Sequence, residues 1–285
     1  MKKIGVISGN RAEYGLLAPV MRRIGDSPSL DLQLIVTASH LLPEFGLTIE
    51  TIERDGFEID RKIPQISSAS TGFDVAHQVG EGTVAFAQAF SELDPDVVVI
   101  LGDRYEMFAA ASAAFFLDIP ILHVHGGEVT SGAFDDAIRH VISQLSHVHA
   151  VAAPEYRERL IRAGANPETV HVVGGLGVDS VYSLRLSPRE ELERELNLQL
   201  SEPLFLVTYH PVTRGQHDTK QDVKALVSAL DLYPDATVVF TMPNTDPEHQ
   251  EIVEILELEV AKRNKWCLFA SLGSTKYLSL MTHAA

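Results

Sequence analysis

The sequence predicts an α/β protein of two units, each a parallel sheet covered by helices. Three observations carry this. Short runs rich in Val, Ile and Leu are apolar throughout rather than alternating, the pattern of strands buried on both faces of a parallel sheet. Longer amphipathic segments lie between them, at the spacing of βα repeats with right-handed crossovers. The series pauses near residues 175–200 and then begins again. With 285 residues at 45% hydrophobic content, the chain is large enough for one large or two ordinary domains with real cores.

In the first series, strands are expected at Ile4–Ser8, Leu32–Thr37, Val97–Leu101, Pro120–His125, Val148–Ala152 and Val170–Val173, with a weaker one at Phe57–Ile63. Helices are expected at Tyr14–Ile24, Phe73–Leu93, Tyr105–Phe116, Asp135–Leu145 and Pro154–Arg162. The glycines at 174, 175 and 177 then precede a short segment, Val178–Leu184. Ser187-Pro188-Arg189-Glu190 reads as a helix start, with Pro in the first turn and Glu three after Ser. The second series has strands at Leu204–Thr208, Ala236–Thr241 and Trp266–Phe269, and helices at Asp218–Leu230, Glu248–Lys262 and Thr275–Met281. The division is drawn as 1–175 and 176–285. Three strands are few for a covered sheet, so the second domain is expected to be incomplete and the chain a truncated form of a longer one.

Charge and cysteine usage exclude several classes. Lys plus Arg number 23 against 39 Asp plus Glu, a formal charge of −16. That balance opposes non-specific binding to nucleic acid or to an anionic membrane. A single cysteine, Cys267, rules out an intrachain disulfide or a cysteine metal cluster; in its apolar setting it reads as a core residue, not a nucleophile. The apolar run after Met1-Lys2-Lys3 meets Asn10, Arg11 and Glu13 too soon for a signal sequence or a membrane span. The expectation is a cytoplasmic protein.

Candidate chemistry gathers where expected strands end, which is where open α/β sheets bind ligands. Ser8-Gly9-Asn10-Arg11 follows the first strand: free helix-start amides and a planar cation suit phosphate or carboxylate, or the segment is a plain turn. It is neither a dinucleotide fingerprint nor a Walker loop. Asp103 follows the strand ending at Leu101, as a reactive carboxylate or as a cap of the next helix. His123 through Gly132 is the densest cluster, with Glu128 able to act as acid, base or hydroxyl ligand. Asp135 and Asp136 open the next helix, one turn before Arg139 and His140; helix pairing alone also explains them. His123 and His125, two apart on a strand, have zinc-ligand spacing with Glu128, His140 or His147 as further ligands, but no metal is needed and none is expected. His210 sits at a cleft-edge position after Thr208-Tyr209, suited to phosphate or to proton movement. Thr241 through Pro247, including Asn244, offers polar groups suited to a sugar or nucleotide, or a capped turn.

Taken together, Gly9 through Gly15, Leu101-Gly102-Asp103-Arg104 with Glu106, His123 through Glu128, Asp135-Asp136 with Arg139-His140, Ser146-His147, Tyr209 through Thr213 and Met242 through Asp246 resemble the hydrolysing UDP-N-acetylglucosamine 2-epimerases of the sialic-acid type. The resemblance runs along essentially the whole chain. It implies a GT-B-like fold, two Rossmann-like domains with parallel sheets facing a cleft, the first catalytic and the second UDP-binding. It implies hydrolysis of UDP-N-acetylglucosamine to UDP and N-acetylmannosamine through 2-acetamidoglucal, without nicotinamide or an essential metal, and a homodimer. Asp103, Glu128 and Asp135 would transfer protons and activate water, with Asp136 in reserve; Asp135 is preferred because Arg139 falls four positions on. As a fourth catalytic residue, His210 would contact the diphosphate and assist the departure of UDP; Arg11 would also address the diphosphate, and Arg139, Asp136 and Asn244 the substrate. Three alternatives remain open: the same reaction on UDP-2,4-diacetamido-2,4,6-trideoxyglucose in the legionaminic-acid branch, a GT-B glycosyltransferase, and a non-catalytic sugar-nucleotide binder or inactive fragment.

Overall fold

The computed structural model describes residues 1–64, 71–131, 133–211, 218–243 and 248–285. The chain divides into two compact units, one built from residues 1–64 and 73–182, the other mainly from 183–285.

The first unit holds strands β1 (Lys2–Ser8), β2 (Leu30–Thr37), β3 (Arg61–Ile63), β4 (Val97–Leu101), β5 (Ile121–Val124), β6 (Val148–Val151) and β7 (Val170–Val172). They form one sheet in the order β3-β2-β1-β4-β5-β6-β7, parallel at every pairing. Its helices are α1 (Arg11–Gly25), α2 (Ile49–Arg54), α3 (Gly72–Leu93), α4 (Tyr105–Phe116), α5 (Asp135–Leu145) and α6 (Pro154–Arg162); α7 (Leu176–Ser183) leads out of it. The uniformly apolar runs now have a cause. Along β2, Leu34 and Val36 pack toward α1 and α2, while Ile35 packs toward α3 and α4. Along β4, Val99 and Leu101 take the first side and Val98 and Ile100 the second. Successive side chains alternate faces, so a sheet covered on both faces needs an apolar residue at every position.

The second unit holds α8 (Arg189–Leu196), β8 (Leu204–Thr208), α9 (Thr219–Leu230), β9 (Thr237–Thr241), α10 (His249–Val260), β10 (Trp266–Phe269) and α11 (Gly273–Met281). Its strands form a parallel sheet ordered β10-β9-β8. Val238 and Phe240 join α9 and α10 residues in one cluster, and Val239 joins Leu192, Leu272 and Leu280 in another. Cys267 lies in β10 with its thiol 3.6 Å from the Val238 carbonyl, and burial pushes that thiol up to about 12. Among the described residues, no helix is long and apolar enough to cross a membrane.

Most elements fall where the apolar runs place them. Helix α2 lies outside the expected elements, β3 keeps only Arg61–Ile63 of the expected Phe57–Ile63, and three further differences sit at element ends. Helix α1 starts at Arg11 rather than Tyr14, because Asn10 caps it: the Asn10 Oδ1 accepts the Glu13 N–H at 3.0 Å. Strand β5 stops at Val124, because His125, whose N–H still donates to the Ala150 carbonyl at 2.9 Å, turns to a φ of 63°. Helix α8 takes Pro188, not Ser187, as its cap.

Candidate active site

The sheet reverses its strand order between β1 and β4, and the turns leaving β1, β4 and β5 stand side by side at its carboxyl edge. Four expected residues lie there, Asp103, Glu128, Asp136 and Arg139. Asp103 does not cap α4: the cap position is Arg104, which makes no side-chain capping bond. The Asp103 carboxylate instead accepts from Arg139 Nη2, on α5. The same Arg139 nitrogen donates to Thr130 Oγ1 at 3.0 Å, and Arg139 Nη1 lies 3.8 Å from Asp136 Oδ1. Asp136 Oδ1 in turn accepts the Thr130 N–H at 2.8 Å, and its other oxygen is 3.7 Å from His140 Nε2. One guanidinium thus holds two of the candidate carboxylates. Burial raises the Asp103 carboxyl above its ordinary value, Arg139 and Arg104 oppose this, and the nearby Glu128 charge adds to the rise.

Glu128 is oriented by His125. Its Oε1 is 2.6 Å from His125 Nδ1. The Leu176 N–H donates to His125 Nε2 at 3.4 Å, so Nε2 is the acceptor and Nδ1–H the donor toward the carboxylate. The turn is held tightly. A Cβ on Gly126 would stand 2.8 Å from His123 Nδ1, and one on Gly127 would stand 2.7 Å from the Tyr156 carbonyl oxygen; Gly127 also needs its φ of 78°.

The zinc spacing of His123 and His125 does not survive. With His125 out of the strand conformation, the two rings no longer share a face. Both His123 nitrogens are engaged: Nε2 donates to the Gly102 carbonyl at 2.7 Å and Nδ1 pairs with Ser143 Oγ at 3.0 Å. Burial first, then neighbouring cations, lowers its pKa to about 3, so it is a neutral brace between the β4 exit and α5. His149 is buried too, and burial lowers its pKa. Among the described residues, no group of three or more His, Cys, Asp or Glu is arranged to hold a metal ion.

Behind this rim lies an apparatus the motif reading did not assign. The Glu13 carboxylate accepts the Gly9 N–H and Asn10 Nδ2, each at 2.7 Å. Asn10-x-x-Glu13 is a capping-box spacing, so this signal was present in the sequence. Glu106 is almost fully enclosed, and its Oε1 accepts from Arg104 Nε at 3.3 Å. Burial first, then the Glu106 charge, raises the Glu13 carboxyl. His40, fully buried, bonds Ser8 Oγ at 2.9 Å and Thr48 Oγ1 at 2.7 Å, and burial lowers its pKa to about 4. A cavity of about 240 Å³ at the β2 and β3 ends is lined by Thr37, Ile63, Gln78, Glu81 and Glu106.

Of the other expected residues, Asp135 opens α5 beside Asp136, and Arg11 opens α1. In the second unit, His210 lies two residues past β8 and is exposed. Asn244 lies outside the described residues.

Comparison with known proteins matches residues 22–285 to the family described as UDP-N-acetylglucosamine 2-epimerase. The chain is 40% identical over 281 residues to a Campylobacter jejuni protein named GDP/UDP-N,N'-diacetylbacillosamine 2-epimerase (hydrolyzing), covering 98% of this chain and 73% of that one. It is 35% identical to a Legionella pneumophila UDP-N,N'-diacetylbacillosamine 2-epimerase (hydrolyzing), covering 90% of this chain and 68% of that one. It is 31% identical to a Neisseria meningitidis UDP-N-acetylglucosamine 2-epimerase, covering 100% and 73%. Among solved structures, the UDP-GlcNAc 2-epimerase of Methanocaldococcus jannaschii in complex with UDP-GlcNAc and UDP superposes with a TM-score of 0.80 at 20% identity, over 99% of this chain and 77% of that one. That likeness shows the fold, which is α/β and GT-B-like.

Proposed function

The chain belongs to the UDP-N-acetylglucosamine 2-epimerase family, and from that premise we propose that it is a hydrolysing 2-epimerase of a UDP-linked 2-acetamido sugar. The observation that carries the reading is the pairing of Asp103 and Asp136 with Arg139 at the carboxyl edge of the first sheet, with Glu128 near enough for its charge to act on Asp103. A proton bound to C2 of a sugar is a weak acid, so its removal needs a positioned base together with departure of a stabilised leaving group.

In the first stage a carboxylate takes the C2 proton while the C1–O bond to UDP breaks, leaving 2-acetamidoglucal. In the second, water adds at C1 and C2 is reprotonated on the opposite face, giving the free 2-epimer. Burial raises the Asp103 carboxyl above its ordinary value, and Glu128 is bonded to an imidazole, so the two carboxyls stand in different surroundings. Asp103, Glu128 and Asp135 carry the proton transfers and the activation of water. Arg139 and Asp136 fix the geometry of that set and help bind the sugar. His210, Arg11 and Asn244 bind the nucleotide end, with residues 176–285 as the UDP-binding part. No metal or nicotinamide has a role.

The substrate we favour is UDP-N,N'-diacetylbacillosamine, the 2,4-diacetamido-2,4,6-trideoxyglucose nucleotide. Support comes from identity: the relatives named for N,N'-diacetylbacillosamine, one as the GDP/UDP and one as the UDP derivative, stand at 40% and 35%, and a UDP-N-acetylglucosamine 2-epimerase at 31%. This reverses the preference that the motif resemblance implies. UDP-N-acetylglucosamine is the second reading. The test is UDP release from each nucleotide in D₂O, with the product examined by NMR. A 2-epimerised free sugar carrying deuterium at C2 is expected, with the higher kcat/KM for the diacetamido substrate. Transfer of the sugar to an acceptor with C2 hydrogen retained would mark a glycosyltransferase instead.

A further inference from the structure

The two buried glutamates behind the rim touch nothing that the reaction above uses, yet they are costly to hold. Glu13 and Glu106 both press on Gly9: a Cβ there would stand 3.1 Å from Glu106 Oε1 and 3.3 Å from Glu13 Oε2. Glu13 is saturated by the turn it clamps. Glu106 has one oxygen on Arg104 Nε, while its Oε2 is buried and finds no hydrogen-bond partner among the described residues. An enclosed carboxylate left half-satisfied is destabilising and calls for a compensating role. Arg104 supplies the link. It is the residue after Asp103, is itself buried, and its guanidinium stacks 5.1 Å from the Tyr105 ring centroid. Its charge also reaches Asp103.

We propose that Glu106, backed by Glu13, is a positioning residue of the catalytic rim: it fixes the Arg104 guanidinium behind Asp103 and offsets part of its charge, and so sets the acidity of the Asp103 carboxyl. The inference rests on the assignment of a proton-transfer role to Asp103. The charges that act on Asp103 are Arg139 from α5, Arg104 from the β4–α4 turn and Glu128 from the β5–α5 turn; Glu106, in the first turn of α4, accepts from Arg104, and both of these act on Glu13 of α1. With Glu106 neutral, less of the Arg104 charge would be offset at Asp103, and the carboxyl would ionise at lower pH. With Arg104 neutral, the shift would be upward.

The test reads Asp103 directly. The Asp103 carboxyl is titrated by ¹³C NMR in the full chain, assigned with Asp103→Asn, in wild type, Glu106→Gln, Glu106→Asp and Arg104→Gln. Glu106→Gln is expected to lower the midpoint by about one pH unit, Glu106→Asp to restore most of it, and Arg104→Gln to raise it. In the UDP-release assay, the limb of the kcat profile belonging to Asp103 moves the same way, while KM stays within about twofold. An Asp103 midpoint unmoved in Glu106→Gln, with thermal stability lowered, would overturn the proposal and leave Glu106 as packing. If Glu106→Gln does not fold, the direction of the Arg104→Gln shift decides. If wild type releases no UDP from either nucleotide, the enzymatic reading fails, but the titration still answers the positional question.

Discussion

Acidic side chains at one edge of the same sheet are treated in opposite ways. At the β1–α1 turn, Glu13 and Asn10 are buried and bonded into the local backbone, and the Glu106 side chain that presses on them is only 3% exposed. At the facing turns, the side chains of Asp103 and Glu128 keep 19% and 28% exposure and are held by other side chains, Arg139 and His125. A carboxylate bonded to its own turn is committed to shape. One held by a neighbouring side chain, with an edge left open, can still exchange a proton or meet a substrate. The difference separates the scaffold from the candidate chemistry more sharply than residue type does, since both sets are acidic and both follow strands.

The largest effect expected from this contrast is kinetic. Asp103→Asn keeps the shape and a hydrogen-bond acceptor for Arg139 but cannot take a proton. It should lower kcat for UDP release by about 10²- to 10⁴-fold, with the far-UV circular dichroism spectrum unchanged. Glu128→Gln should fall in the same range. If either variant instead lost its fold and kept its rate per folded molecule, the division between open and closed carboxylates would be wrong.

The next effect concerns the histidines that brace the scaffold. His40 and His123 are neutral in the folded protein, with pKa values lowered to about 4 and about 3 by burial. In the unfolded chain an ordinary histidine takes up a proton below about 6.5. Between those limits the unfolded state binds more protons, so stability falls as pH falls from 6.5 toward 4, and is fully retained above 6.5. The expected slope is about 1.4 kcal/mol per pH unit for each histidine in the middle of that window. Urea unfolding midpoints at pH 7, 6 and 5 measure it. A flat response would mean that these imidazoles charge without loss and are not braces.

How much of this was legible beforehand follows from what pattern can and cannot encode. The apolar runs at 97–101, 204–208 and 266–269 place β4, β8 and β10 almost to the residue, because a strand packed on both faces must be apolar at each step. Asp103, Glu128, Asp136 and Arg139 were legible as rim residues from their position after strands. What joins them was not. The ion pair from Asp103 to Arg139 spans 36 residues, and no local spacing announces it. The i,i+2 spacing of His123 and His125 pointed to a shared face, and one positive φ undid it. Glu106 sits in the first turn of a helix, where an acidic residue is ordinary, so nothing in the pattern marked it as enclosed.

The smallest effect tests the scaffold turn by itself. Asn10→Ala removes the N-cap bond of α1 and the amide that meets Glu13 Oε1. A lost cap costs about 1 kcal/mol, and the unpaired oxygen of a buried carboxyl adds to it, so a total of about 2 kcal/mol is expected from urea unfolding. Asn10→Ser separates the two parts. A serine hydroxyl can accept the Glu13 N–H, yet it is too short to replace the Asn10 amide at the Glu13 carboxylate. It should therefore recover the capping share and leave the rest. If serine restored full stability, the Asn10–Glu13 side-chain bond would contribute nothing, and the β1–α1 turn would be held by its backbone rather than by its buried acid.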